Sequence, residues 1–448
     1  MKAVIPMKAE ERQMENRIDG LMGFLRKSVS AFHAVDALCG MLRGAGFQEL
    51  RECARWSIAP GGRYFVTRNQ SSVIAFTLPE RGFAPMQIVA SHSDSPVFRI
   101  KERAELEVQG SYVQLNTERY GGMIMNTWLD RPLGVAGRVL VRTPRGLESR
   151  LVDFGCDAAL IPNLAIHMQR DVNENCKLNA QVDMLPLYGD ISAKGRFEAK
   201  VAEIAGASPE DVLGRDLYLY NRMEPRLWGP EDCYISAPRL DDLECAYTSL
   251  CALLEAGESE HINLCCVFDN EEVGSGTRQG ADSTFLSDVI GRIADGLGAD
   301  GEALHAALAS SFMVSADNAH ALHPNHPEKS DGANRPLMNG GIVIKQSANQ
   351  KYTTDGVSRA IFGEICRRAD VPVQHFANRS DMLGGSTLGN ISGAHVSIPA
   401  VDIGLAQLAM HSSYETAGAR DVEHMVRGLT AFYRTELRST ADGGYVLD

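Results

Sequence analysis

The chain has 448 residues, 44% of them hydrophobic and 7% aromatic, with 42 glycines and a formal net charge of −13. This is ample for a globular core and suggests more than one domain, while the acidic balance argues against a nucleic-acid partner, whose phosphates it would repel. The ten cysteines form no Cys-x-x-Cys pair and read as reduced, mostly buried thiols of a cytoplasmic protein; without a signal-peptide core or an apolar run of spanning length, membrane insertion and secretion are both disfavoured.

Residues 10–47 read as helix, with Leu21, Phe24 and Leu25 on one face and Val35, Leu38 and Leu42 on another, and with Gly44 and Gly46 as the stop. Residues 86–90 form a short buried-type strand that runs directly into Ser91-His92-Ser93-Asp94-Ser95-Pro96. From residue 98 to 232 the pattern changes to alternation, as in Glu105-Leu106-Glu107-Val108 and Gly137-Arg138-Val139-Leu140-Val141. Such alternation marks half-exposed antiparallel strands, so this stretch is read as an inserted β-rich domain that divides a second domain into 1–97 and 233–448. Helices are then expected over 241–256, 283–297, 356–368 and 420–437, and strands over 262–268, 311–316, 341–345 and 400–405. The alternation of the two predicts an α/β fold with a mixed, mostly parallel sheet covered by helices.

In open α/β sheets, sites form beyond the carboxyl ends of strands, and five such points here carry metal-type ligands. His92 could ligate a metal while Asp94 orients its ring, although a polar turn with a capping Asp reads the same. Of Asp241 and Asp242, just before a helix, one is expected to be a helix cap and the other, Asp241, to be free for another role. Glu271 and Glu272 leave an apolar strand side by side, and two neighbouring carboxylates near a low-dielectric core repel. A cation relieves that repulsion if one Glu binds it while the other acts as general base. Asp317, His320, His323 and His326 fall within ten residues of one another, either as a site or as a polar loop. His411 follows a further apolar strand. Two histidines and three carboxylates at successive strand exits suit two zinc ions sharing a bridging carboxylate, with Co²⁺ or Mn²⁺ as alternatives.

At these residues the sequence resembles the aspartyl aminopeptidase family, which also contains vacuolar aminopeptidase I. The resemblance runs from about residue 20 to 437. It includes residues 91–96, Tyr120-Gly121-Gly122, Thr127-Trp128-Leu129-Asp130-Arg131, Ile161 to His167, Arg239-Leu240-Asp241, Asp269 to Ser275, Ser315 to His320, Val343-Ile344-Lys345, Asn349 to Tyr352 and Ala409 to Ser413. It implies a zinc-peptidase fold with an inserted dimerisation domain, and aminopeptidase activity through a zinc-bound hydroxide. His92, Asp241 and Asp317 would hold one zinc; Asp241, Glu272 and His411 would hold the other. Glu271 would be the general base, Asp94 the partner of His92 and His323 an oxyanion donor. His167 would reach a neighbouring subunit's site within a tetrahedral dodecamer, and His320, Lys345 and Tyr352 would contact substrate. Lys345 implies a preference for acidic (Asp or Glu) N-terminal residues, unless it is simply an exposed strand-end lysine. The sequence departs from the family at Asn126, Asn163 and Asn334, each standing where histidine is frequent, and some family members favour neutral residues.

Two other readings compete. A dinuclear-zinc carboxypeptidase or amide deacylase would use the same metals and base. A non-catalytic shell or cargo protein could keep the fold, although it would be expected to lose Glu271 or a ligand, and none is lost.

Overall fold

The computed structural model describes residues 9–382, 384–385 and 387–448. The chain opens with helices α1 (Ala9–Lys27) and α2 (Ala31–Gly44), the latter capped by the Ser30 side chain. Strands β1 (Gln48–Leu50), β2 (Arg63–Arg68), β3 (Ser72–Thr77) and β4 (Met86–His92) follow. Next come β5 (Val97–Val108), β6 (Tyr112–Tyr120), β7 (Leu133–Thr143), β8 (Gly146–Asp153), β9 (Leu187–Asp190), α3 (Arg196–Ala205) and β10 (Val212–Asn221). Then β11 (Arg226–Trp228), β12 (Tyr234–Ala237), α4 (Leu240–Ala256), β13 (Ile262–Phe268), α5 (Phe285–Gly296), α6 (Gly301–Ala309), β14 (Phe312–Ala316) and β15 (Ala319–His320) lead into the last third. It comprises β16 (Ile342–Gln346), α7 (Gly356–Arg368), β17 (Val373–Ala377), α8 (Leu388–His395), β18 (Ala400–Gly404), β19 (Ala406–Leu408), β20 (Glu415–Gly418), α9 (Ala419–Arg434), β21 (Leu437–Ala441) and β22 (Gly444–Leu447).

The main sheet has nine strands in the order β1-β2-β3-β13-β4-β14-β18-β16-β17. Its middle, β13-β4-β14-β18, is parallel, with Phe268 beside His92 and Ser315 beside Ala90. Both faces are covered, so these strands read as largely apolar runs. Val89, Cys265, Val267 and Val314 point into one core with α1, α2, α4, α7 and α9. Their sequence neighbours Ile88, Ala90, Leu264, Cys266, Phe268 and Met313 point into the other, beneath α5 and α8. The expected α/β architecture with a mixed, mostly parallel sheet is therefore what the chain forms. Helix 420–437 is shorter than its periodicity implied: it ends at Arg434, and Leu437 starts a hairpin instead.

Between β4 and β11 lies a six-stranded sheet in the order β8-β7-β10-β5-β6-β9, antiparallel throughout. It has its own core, including Phe98, Leu115, Trp128, Val135, Phe197 and Leu217. A third sheet, β11-β12-β20-β19-β15, frames the exit of β14. No described helix is long and apolar enough to cross a membrane, and all ten cysteines are free thiols, with Cys53, Cys156 and Cys176 exposed rather than buried.

Gly404 closes β18 beside the exit of β14. A Cβ there would lie 1.9 Å from the Asp317 carbonyl oxygen, a backbone atom with nowhere to go. Gly404→Ala is expected to destabilise the protein by about 1–3 kcal/mol through overpacking. Denaturant unfolding checks the loss, and unfolding at the wild-type midpoint would disprove it.

Candidate active site

Parallel neighbours lie about 4.8 Å apart, so residues leaving adjacent strand ends must meet. His92 is the last residue of β4. Glu271 and Glu272 follow β13 after Asn270, whose positive φ of 64° turns the chain back over the sheet. Asp317 follows β14, His411 follows β19, and Asp241 enters from the first turn of α4.

The five ligand candidates converge. The His92 Nε2 atom is 3.6 Å from Asp241 Oδ1 and 3.8 Å from Asp317 Oδ1. The His411 Nε2 atom is 3.4 Å from both Asp241 Oδ2 and Glu272 Oε2. These separations are long for hydrogen bonds. They approach the separation of two donors on one tetrahedral zinc, roughly 3.3–3.4 Å for bonds of 2.0–2.1 Å. Asp241 offers one oxygen to each set. Asp241 Oδ1, Asp242 Oδ1 and Glu272 Oε1 are buried with no hydrogen-bond partner among the described residues, and an orphaned buried acceptor calls for a cation or a proton. The donor set thus fits the zinc its composition implies.

A second layer of groups holds these side chains in place, and most of it was not foreseen from the sequence. Asp94 was foreseen: its Oδ1 lies 3.3 Å from His92 Nδ1. It does more than orient His92, because it also accepts the backbone N–H groups of Glu271 (3.1 Å) and Glu272 (3.2 Å). The Tyr120 hydroxyl donates to Asp94 at 2.6 Å and accepts from the Asn270 amide at 2.7 Å. Glu415 is fully buried and accepts the backbone N–H of both His411 (2.7 Å) and Asp241 (3.1 Å). The Gly122 carbonyl lies 2.7 Å from His411 Nδ1. The helix-cap reading of the Asp pair needs correction: α4 has Arg239 at its N-cap with no side-chain cap bond. Asp242 instead accepts the backbone N–H of His92 at 3.0 Å and sits with His92, Asp241 and Asp317 in one donor cluster.

Packed this way, the acidic groups resist ionising together. Burial, followed by the repulsion of Asp241, pushes Glu272 well above the usual carboxylate range. Burial pushes Glu271 up to about 8, with Asp317, Asp94 and Asp241 adding to it against the pull of His92. Burial also raises Asp242. Asp241 moves the other way: burial is outweighed by His411 and His92, and its carboxyl is held down. Burial opposes the charged form of both rings, yet the carboxylates hold His92 well above the ordinary histidine value and raise His411 to about 9.

A cavity of ≈ 190 Å³ opens on this cluster. Its walls include His320, Lys345 and Tyr352, together with Phe376 and Thr387. Lys345 is not an exposed strand-end lysine; it is fully buried, and its ammonium donates to the carbonyls of Asp317 (2.8 Å) and Asn318 (3.3 Å) and pairs with Asp317 Oδ2 at 3.4 Å. His323 and His326 lie on an exposed loop beyond His320, and His167 lies on an exposed segment between β8 and β9; none of the three lines the cavity of its own chain.

A carboxylate–histidine cluster with paired donor sets at parallel strand ends defines a metal-dependent hydrolase. The comparisons narrow the class. The family model described as aminopeptidase I zinc metalloprotease (M18) matches residues 24–433. The chain is 44% identical over 436 residues to the probable M18 family aminopeptidase 2 of Clostridium novyi, a match covering 94% of this chain and 100% of that one. Among solved structures it resembles one from the cryo-EM structure of the Ape4 and Nbr1 complex, with a TM-score of 0.92 at 32% identity, covering 96% of this chain and 87% of that one. It also resembles one from the S. cerevisiae mApe1 dodecamer, with a TM-score of 0.82 at 27% identity, covering 94% and 97%. The chain belongs to the M18 family, and it is a zinc metalloaminopeptidase.

The raised histidines and carboxyls carry protons at neutral pH that a cation must displace. Metal binding at pH 7 should therefore release about two or more protons per subunit, and affinity should rise with pH through about 9, the pH above which His411 is mostly neutral without metal. Calorimetry in buffers of different ionisation enthalpy measures the release; zinc binding with no proton release would contradict this electrostatic picture.

Proposed function

We propose that the protein removes acidic residues from peptide N-termini using two zinc ions and Glu271 as general base. The observation that carries this reading is Asp241, whose two oxygens face two separate histidine-containing donor sets. His92, Asp241 and Asp317 would hold one ion, and Asp241, Glu272 and His411 the other. Zinc held there supplies Lewis acidity, which polarises the scissile carbonyl and acidifies water.

The remaining work falls to the chain. Glu271 lines the same cavity, and its raised proton affinity suits a group that must take a proton near neutral pH. It accepts the proton of the attacking water and passes it to the leaving amine as the C–N bond breaks. Asp94 fixes His92 and the Glu271–Glu272 backbone together. Lys345 is the only lysine or arginine lining the cavity among the described residues, which supports an acidic side chain at that position, with His320 and Tyr352 as its other contacts. His323 is proposed as the oxyanion donor on the strength of the motif, and this requires its exposed loop to bend inward over bound substrate.

The antiparallel sheet from Val97 to Asn221, with its separate core, supports the division into a catalytic domain (1–97 and 233–448) and an inserted dimerisation domain (98–232). Leu164, Ile166, Met168 and Val182 expose large apolar side chains on that insert, a surface suited to self-association. The likeness to the mApe1 dodecamer supports a particle of that kind, with His167 acting on a neighbour's substrate. Ten free thiols support a cytoplasmic setting.

Glu271→Gln should retain its zinc while losing roughly two to four orders of magnitude in turnover. In a panel of aminoacyl chromogenic substrates, the wild type should cleave aspartyl and glutamyl derivatives ahead of leucyl ones. Loss of metal in the variant would reassign Glu271 as a ligand, and faster leucyl cleavage would make this a neutral-residue enzyme.

His167→Ala and Glu271→Gln subunits, each inactive alone, should regain activity when co-assembled, since some sites would then combine an intact base with a neighbour's His167. Full-sized mixed particles that stay inactive would remove His167 from the reaction.

A further inference from the structure

One short segment of the inserted sheet touches the metal cluster at several points. Tyr120, the last residue of β6, bonds Asp94 and Asn270 through its hydroxyl. Gly121 has a φ of +77°, and a Cβ there would approach to 3.1 Å of the Glu272 Cβ. The Gly122 carbonyl meets His411 Nδ1 at 2.7 Å, and the Ile124 N–H donates to the His411 carbonyl at 3.0 Å. Thr127 accepts the Ser413 N–H on its hydroxyl (2.9 Å), and its carbonyl accepts the Ser413 hydroxyl (2.5 Å).

These contacts have a direction. A carbonyl facing His411 Nδ1 requires a proton on that nitrogen, which leaves the Nε2 lone pair of the neutral ring to face Asp241 and Glu272, as a metal ligand must. On the other half of the cluster, the Tyr120 hydroxyl is, among the described residues, the only side-chain donor other than His92 placed on Asp94, the carboxylate that ties His92 to the Glu271–Glu272 turn. Each ligand set therefore depends on an atom supplied by the insert. We infer that segment 120–127 is an orienting brace for the metal centre, with Tyr120 as a positioning residue, so that zinc affinity and the seating of the insert are one linked equilibrium.

The inference rests on the ligand roles proposed above, and the experiment separates the two. Tyr120→Phe keeps the ring and removes the hydroxyl. In the full chain it should bind zinc about 10–100-fold more weakly, as loss of a group supporting a metal ligand does, while reaching the wild-type zinc content at saturation. Tyr218→Phe is the packing control: Tyr218 meets Tyr120 edge-on at 6.0 Å between centroids and should bind zinc as the wild type does. By reciprocity, stripping zinc from the wild type should speed hydrogen exchange at the Ile124 amide far more than along β7 of the same sheet. Chelator competition and mass-resolved exchange read these out. A Tyr120→Phe variant within about twofold of wild-type zinc affinity, an equal loss in Tyr218→Phe, or unchanged Ile124 exchange after zinc removal overturns the brace. If Tyr120→Phe does not fold, the wild-type exchange measurement decides alone. His411→Ala that keeps full zinc overturns instead the ligand assignment beneath it.

Discussion

Like charge buried beside a closed apolar core is the constraint from which the rest of this structure follows. Asp94, Asp241, Asp242, Glu271, Glu272 and Asp317 crowd around two imidazoles, and few water molecules can reach Asp94, Asp241 or Asp242. Carboxylates so placed either take protons or share a cation. The opposite movements of Asp241 and Glu272 express this: the first is flanked by both rings and stays ionised, whereas burial and its neighbours drive the second towards neutrality. Zinc held there would resolve the conflict without breaking the packing, by replacing protons with a charge that several oxygens can share.

The fold bears this cost by making the supports rigid. Three parallel strands, β13, β4 and β14, end side by side and deliver the two glutamates, His92 and Asp317. Helix α4 starts at the same level, and its N-terminal N–H groups favour the negative charge of Asp241 and Asp242. Backbone N–H groups then satisfy the carboxylates that do not face the cation set: Asp94 takes two and Glu415 takes two. Among the described residues, the oxygens left unpaired at the donor sets include Asp241 Oδ1, Asp242 Oδ1 and Glu272 Oε1.

The parallel core was legible because doubly covered strands are mostly apolar runs, and Ile262–Phe268 is one such run, interrupted only by Asn263. The convergence of the five ligand candidates was legible for a related reason: each stands where such a run stops, and strand order brings the stops together. The third sheet was not, since β15 and β19 are only two and three residues long and too short to show a period. The supporting groups escaped for a different reason. Glu415 serves Asp241 across 174 residues of sequence, Tyr120 belongs to a strand of the separate six-stranded sheet, and the Gly122 contact is a backbone carbonyl with no side chain to signal it. Asp242 was misread because an Asp before a helix has a sufficient local explanation, and only the tertiary contact with the His92 N–H shows another.

In the proposed reading, Lys345 would join substrate recognition to the metal cluster more tightly than its sequence position suggests. A fully buried lysine ordinarily sheds its proton, and burial does pull in that direction here, but Asp317, Tyr352 and Asp402 together hold its pKa above the usual lysine range. Its three ammonium hydrogens are matched by three oxygens, all on Asp317 and Asn318. The positive charge in the pocket wall is therefore fixed in place before any substrate arrives, as an electrostatic site should be, and one of the groups fixing it is a proposed zinc ligand. Truncating the lysine would free Asp317 as well as neutralise the pocket, so a fall in activity towards acidic substrates would not by itself reveal specificity. The discriminating comparison lies among substrates on the intact enzyme, where the charge stays in place and only the side chain presented to it changes.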